Sequence, residues 1–589
     1  MIFATVFIVD KDFVNGIVFG KYFWFYSTII AVALATFSSL IINKIPDIHW
    51  ETIDRVIFFY IASVIVFVPN LNDTSQKMAL LPLIICLYFY FRFFLTSYHS
   101  ARYYLSLCFI CTGLIESAIG LAQLYGWLVS NHHLFRTTGT FFNPGPYSGY
   151  VAMIVPMALY YVISDRKVLK FKYSRRLFPF IIRWIIASLT VATSFLILPA
   201  LMSRTAWLAG LTGSFLVIFV SVFNLNKCKK HFKKHKKKVF VVLCSFVVCL
   251  FISFIGMYYL KKDSADGRAL MWKISLSTIP KNLEGAGLSR FPAVYGEAQA
   301  KYFEEKKGSK DEERIAGNPE YAFNEYLQIG IEQGIVPLTL FIILLFFAIY
   351  KGVKKKNIAA AGSLASLVVF SFASYPFSVL PFLIGLVFLL ALIATPVKYE
   401  NKGKQKKWEQ ILFYPLTVAC ALITVYSVYA IYPSKKAYKS WSKHRTLYQI
   451  ELYQDAVKEY ELIYPRLFDQ VQFLFEYAQC LSKLQKYGES NRILGKAIRI
   501  SCDPMLYNIM GKNYQALKLY PEAEKSFLKA SNIVPNRIYP YYLLAKMYRE
   551  SGQQQKAQEM ALIVLTKEPK VHSTAIEDMR REIKKMINK

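Results

Sequence analysis

The chain has 589 residues, 55% of them hydrophobic, and a formal net charge of +33. The apolar residues come in runs of about 18–22, the length that crosses a hydrocarbon core of about 30 Å, and this excludes a water-soluble globular enzyme. The positive excess gathers in short connectors between those runs, where the positive-inside rule places it, so it is no sign of nucleic-acid binding.

About twelve spans are predicted, near residues 22–43, 55–68, 78–95, 103–127, 145–164, 181–200, 205–224, 239–260, 334–350, 359–375, 378–396 and 410–432. Before them stands MIFATVFIVDKDF, broken by Asp10, Lys11 and Asp12. It has no basic leader and no small-residue cleavage site, so it is a poor signal peptide. Residues 1–20 read either as a partial or re-entrant segment or as a chain that begins one helix late. The connectors 165–176, 226–238, 351–357 and 398–408 are the most basic and are expected on the cytoplasmic side. Alternation then puts 69–77, 128–144, 200–205, 261–333 and 433–589 on the other side, together with the N-terminus.

The nine cysteines form no ligand set. Cys86, Cys108, Cys111, Cys244, Cys249 and Cys420 lie in apolar runs and act as small hydrophobes. The C-x-x-C of Cys108 and Cys111 has no second pair beside it, so zinc or redox chemistry is not expected there. For Cys480 and Cys502 in the tail, a disulfide stays open.

Polar groups inside or at the ends of spans are costly and mark candidate sites. In the fourth span Glu116 and Gln123 lie seven apart on one face. They either line a cavity or are buried, hydrogen-bonded structural residues. The stretch RTTGTFFNPGPYSGY, from Arg136 to Tyr150, is a turn cluster with Arg136 as its firm cation. In SRTAWLAG, Arg204 sits at a junction of two apolar runs, at the membrane boundary. Residues 261–333 form a polar loop of unusual length between spans, which marks it as functional or disordered. It holds DGRALMWKISLSTIPKNLEGAGLSRF, where Arg268 starts a helical run. Gly285 and Gly287 allow either a close backbone approach to a ligand or an ordinary turn. No phosphate-binding G-x-x-x-x-G-K-[ST] follows. The loop ends in AFNEYLQIGIEQG, where Asn324, Gln328 and Glu332 share a helix face flanked by Glu325.

After Tyr432 the hydropathy changes. Ala456, Ser490, Ala523 and Ala557 recur every 33 or 34 residues, as do Ala478, Gly511 and Ala545. This resembles tetratricopeptide repeats, about three units and a capping helix, an array that usually binds partners. The reading is therefore an all-α chain with a polytopic membrane bundle (1–432) and a helical-repeat domain (433–589).

Two guanidinium groups, Arg204 and Arg268, with Arg136 as a third cation, suit a pyrophosphate. They would stabilise its charge as it leaves. A carboxylate or amide would orient an acceptor hydroxyl, and a carboxylate would take its proton. These are the requirements for glycosyl transfer from a polyprenyl-pyrophosphate donor.

At these same motifs the chain resembles the O-antigen ligase/polymerase family of bacterial envelope glycosyltransferases, over about residues 100–396. The resemblance implies a fold of the GT-C type with residues 261–333 as a large periplasmic loop. It implies transfer of a glycan from undecaprenyl pyrophosphate to lipid A–core or to a growing polymer, at the periplasmic face of the inner membrane, without a metal or other cofactor. The family's essential arginines fall on Arg204 and Arg268. Its ligases commonly carry a histidine before the Asn of the closing motif, and here that position is Phe323, so either Asn324 or Glu325 substitutes as the catalytic base beside Arg268 or the acceptor differs. A polysaccharide polymerase, a protein O-oligosaccharyltransferase, a flippase and a non-catalytic scaffold remain as alternatives. Expected partners are the lipid-linked glycan, a lipid or protein acceptor, membrane lipids, and a protein held by the tail.

Overall fold

The computed structural model describes residues 1–42, 50–69, 76–170, 178–222, 262–279, 284–396 and 407–587, with residues 241 and 245. The regular structure among them is helical, without a strand. Among the described residues, eight helices are long and apolar enough to cross a membrane, and the protein is an all-α polytopic membrane protein. The run predicted at 239–260 lies largely outside the described residues.

Three predicted spans are shorter helices: Thr52–Phe67, Ile358–Ser371 and Leu380–Ala394. The last two are 14 and 15 residues long, about 21–22 Å at 1.5 Å per residue, less than a hydrocarbon core. They tolerate this because they are packed inside the bundle rather than against lipid; nearly every residue of Leu380–Ala394 is buried. At one end both are level with Ala101–Leu124, since Arg102 hydrogen-bonds Asn357 Oδ1 (2.8 Å) and Thr395 O (2.8 Å). The 24-residue Ala101–Leu124 extends further at the other end. The connection 372–379 is therefore recessed in the bundle, where it can floor a site.

The bundle is pinned at the end of the basic connectors by two buried ion pairs. Arg92 holds Asp54 through Nε–Oδ1 (3.1 Å) and Nη2–Oδ2 (3.0 Å). Arg183 holds Asp165 through Nε–Oδ2 (2.8 Å) and Nη2–Oδ1 (2.9 Å). The opposite end gathers residues 125–143, 200–204, 262–334 and 372–379 with the N-terminal segment and the tail.

The N-terminal residues fold back into the bundle, as the re-entrant reading expected. Ile2–Phe7 is a 3-10 turn, and the Phe3 ring lies 5.0–5.7 Å from Phe91, Phe109 and Phe388. Lys21 closes the plug: its ammonium donates to the carbonyls of Val6, Ile8 (2.9 Å) and Thr140 (3.1 Å). A buried cation is tolerated only with such partners.

Beyond the helix Lys407–Ile431 the chain forms helix pairs: Ser434–Gln449 with Tyr453–Leu467, Val471–Lys483 with Tyr487–Ile498, Pro504–Ala516 with Tyr520–Ile533, and Tyr539–Glu550 with Gln554–Thr566. Thr574–Ile587 follows them. The small residues of the 34-residue period lie where helices cross: Ala456, Ala523 and Ala478 are fully buried, and a Cβ on Gly511 would meet the Phe527 ring at 2.5 Å. There is one more pair than the period showed. Its first helix follows directly on the last span and has His444, not a small residue, 34 positions before Ala478. Cys480 and Cys502 are free thiols in buried positions, so the open disulfide is absent.

The tail is docked on the chain's own loop. Asn536 Nδ2 donates to Ala316 O (2.7 Å) and Arg314 O (3.1 Å). Gln299 Nε2 donates to Ile533 O, and Lys529 pairs with Glu297 (2.6 Å). Cys502, Ile533 and Val534 form a small buried cluster with Ala300 of the loop.

Candidate active site

The Arg268 helix is Lys262–Thr278. Trp272 fixes it to the end of the loop by donating from Nε1 to Ala322 O (3.1 Å). Arg268 then reaches the recessed connection, where Nη1 donates to Ala373 O (2.9 Å). Its guanidinium carbon lies 5.1 Å from the centre of the Phe323 ring, a cation–π contact. Arg204 opens the helix Arg204–Val222, and the junction before it is held by Trp207 Nε1 donating to Leu198 O (2.7 Å). Burial, and then the positive charge of Arg204, hold the Arg268 guanidinium below its ordinary value. It stays protonated all the same, since arginine does so throughout the working range. Arg268 makes no ion pair with a carboxylate among the described residues. A second guanidinium is its charged neighbour, and two like charges held together in a half-buried place are costly until an anion joins them.

Phe323 occupies the position of the absent histidine. Its backbone has φ +47, a conformation rare for a bulky residue and better suited to His, Asn or Asp. We expect Phe323→His to fold as the native chain does. The adjacent Arg268 charge will keep that imidazole neutral to below its ordinary value. A rate gained through it should therefore rise with pH between about 5 and 6.5, as the ring loses its proton. Phe323→Val, β-branched in the same backbone, should lower stability by about 1–3 kcal/mol. Thermal unfolding of both variants and a pH–rate profile of the first decide this.

The AFNEYLQ motif does not stay in one place. Asn324 is the N-cap of Glu325–Gln333, its Oδ1 accepting from the amides of Tyr326 (3.0 Å) and Leu327 (3.1 Å). Glu325 is buried and accepts from the Phe377 amide (2.5 Å). Gln328 accepts from the Ala322 amide (3.2 Å) and reaches Ser378 Oγ (3.4 Å). The polar face does not enter a span, because Gly334, at φ +94, breaks the helix before Ile335–Lys354 begins. Glu325, Gln328 and Glu332 instead line, with Gln333 and Ser378, a mostly apolar cavity of about 190 Å³.

The two loop glycines approach backbone rather than ligand. Ala286 and Gly287 donate their amides to Ile331 O (2.8 Å) and Glu332 O (2.9 Å). A Cβ on Gly285, at φ +73, would lie 2.5 Å from the carbonyl carbon of Gln333. Gly285→Ala should therefore cost at least about 1–3 kcal/mol, read as a lower unfolding midpoint of the purified protein.

Glu116 and Gln123 are structural. Glu116 accepts from the Thr140 amide (3.1 Å), and Gln123 Oε1 accepts from the amides of Thr138 (2.9 Å) and Gly139 (2.8 Å). They fasten the 137–140 turn, and the residue this motif sends to the site is Asn143, not Arg136. Asn143 Nδ2 donates to Tyr375 OH (2.8 Å). Arg136 is exposed and makes no hydrogen bond or ion pair among the described residues.

Sequence reading missed an aromatic wall. Tyr321 stacks on Tyr375 at 4.4 Å and 6°, and Phe323 meets Tyr375 edge-on at 5.0 Å. Burial pushes the Tyr375 phenol up, with the Asn143 hydrogen bond and then the charges of Glu320 and Arg268 as smaller influences. Burial, then the Glu320 charge, pushes the Tyr321 phenol well above its ordinary value. The one trace in the sequence was an acidic residue in NPEYAFN and a Tyr-Pro between two apolar runs.

Residues 189–342 match the family model described as O-antigen ligase. The match contains Arg204, Arg268, Asn324 and Glu325 and leaves out Arg136. No curated protein matches the chain.

Proposed function

We propose that the chain transfers a glycan from a polyprenyl-pyrophosphate donor, undecaprenyl pyrophosphate in a bacterium; the match of residues 189–342 to the O-antigen ligase model supports a membrane glycosyltransferase of the O-antigen ligase/polymerase type. The observation that supports this is Arg268, half-buried beside Arg204 and lacking a carboxylate partner among the described residues. Such a pair binds a diphosphate through parallel N–H···O bonds. It stabilises the charge that develops when the bond from the anomeric carbon to phosphate breaks.

In the reading we favour, the acceptor hydroxyl oxygen forms the new bond to the anomeric carbon. Its proton goes to a carboxylate, and the pyrophosphate departs with the electron pair. Glu320, exposed and next in the chain to Tyr321, which stacks on Tyr375, is the candidate for that proton. Asn324 holds the helix start, and Glu325 anchors the connection 372–379, the floor of the site. The site end faces the periplasm and the basic connectors face the cytoplasm, in the inner membrane. The tail 433–589 forms a tetratricopeptide-like domain of its own.

The glycan profile of a strain lacking the gene, with and without complementation, tests the reaction and its acceptor. Loss of all long chains indicates a ligase with a lipid acceptor, and a single-repeat band indicates a polymerase. Intact glycolipid with unglycosylated protein indicates a protein acceptor. An unchanged profile of every kind overturns the transferase reading.

A further inference from the structure

Bundle, loop and tail together line a partly open cavity of about 490 Å³, within the range of ligand pockets. No role given above uses it. Its bundle side presents the ring of Phe142, its loop side that of Tyr321, and its tail side that of Phe468. Lys496 and Arg499 of the tail bring positive charge to it, and Arg290 of the loop and Asp469 of the tail also line it. Lys21 also lines it, but that ammonium is taken up by three carbonyls. Arg290 Nη1 donates to Arg499 O (2.8 Å), which fastens the loop side of the cavity to the tail side.

We propose that this cavity is the acceptor subsite and that it takes a saccharide bearing acid groups. Aromatic faces pack against the apolar faces of sugar rings, and guanidinium and ammonium groups bind carboxylate or phosphoryl substituents. The position fits. Tyr321 lines the cavity and stacks on Tyr375, which is met edge-on by Phe323, the ring that Arg268 lies against. A saccharide here lies one aromatic pair away from the pyrophosphate site. The word acceptor rests on the transferase reading; the binding of an acidic saccharide does not. The tail then acts as a wall of the substrate site and not as an adaptor for another protein.

The test is a ligand-observed NMR titration of the purified full chain with trigalacturonate and with neutral maltotriose. Lys496 and Arg499 are exposed on the tail, and Lys496 gives up only exposed contacts with Tyr464, so the double variant K496E/R499E should unfold close to the native midpoint. We expect trigalacturonate to bind at least tenfold tighter than maltotriose, and the double variant to weaken it at least tenfold. Arg268→Ala should leave its Kd within twofold. Equal binding of both saccharides, no binding, or an unaffected double variant overturns the proposal. A normal glycan profile in Arg268→Ala cells overturns the transferase reading instead and leaves the titration result standing.

Discussion

Arg268→Ala is expected to lower glycan transfer by about 10²–10³-fold, the usual loss when one preorganised donor to a developing anion is removed. Arg204→Ala should do the same, and the pair should lose less than the product of the two, because both act on one diphosphate. The fold should survive. Arg268 is half-buried and is held by one carbonyl and one ring, worth about 1–2 kcal/mol together. Arg268→Lys keeps the charge but loses the two-pronged geometry, so about a tenfold loss is expected. The measurements are envelope glycan per unit of membrane protein and transfer by the purified chain. Arginine variants within threefold of wild type would remove these residues from the chemistry.

Asp54→Ala is expected to cost about 3–5 kcal/mol, because it leaves Arg92 charged and without its ion-pair partner inside the bundle. The side chains of the pair are only 3% and 5% exposed, so water cannot take over from the carboxylate. Tyr88 also loses the acceptor of its hydroxyl, Asp54 Oδ1 at 2.5 Å. Replacing both partners by leucine should cost far less than either single change, since no charge is left behind. A double-mutant cycle on the unfolding midpoint in detergent measures this. A loss below about 1 kcal/mol for Asp54→Ala would show that the pair is not isolated from solvent. Because the pair sits at the end opposite Arg268, activity per folded molecule should not change.

The position of the site was partly legible. Arg204, Arg268 and Phe323 were named from motifs, and the structure brings these three together. Arg136 was named with them, yet the residue of its motif that touches the cluster is Asn143. A turn cluster shows that the chain bends, and the same signal fits either side chain. Gly285 and Gly287 signalled a close approach correctly, but the approaching group is the chain's own helix end. Tyr321, Tyr375 and Glu320 carried no periodic or compositional mark.

What the sequence by itself determined was the membrane bundle, the sorting of basic connectors to one end, and the small residues that recur in the tail. These depend on single-residue properties: the length of an apolar run, the sign of a connector, the size of a residue at a fixed interval. What only the tertiary structure decided was which polar group meets which. Arg268 and Ala373 are 105 residues apart, Lys21 and Thr140 119, Asn143 and Tyr375 232, Gln299 and Ile533 234. Pairing energies act through space over a few ångströms. A pattern that repeats every few residues, or every 34, holds no information about contacts between segments so far apart. The shape of the acceptor cavity, bounded by the tail on one side and by Tyr321 on the other, follows from those contacts alone.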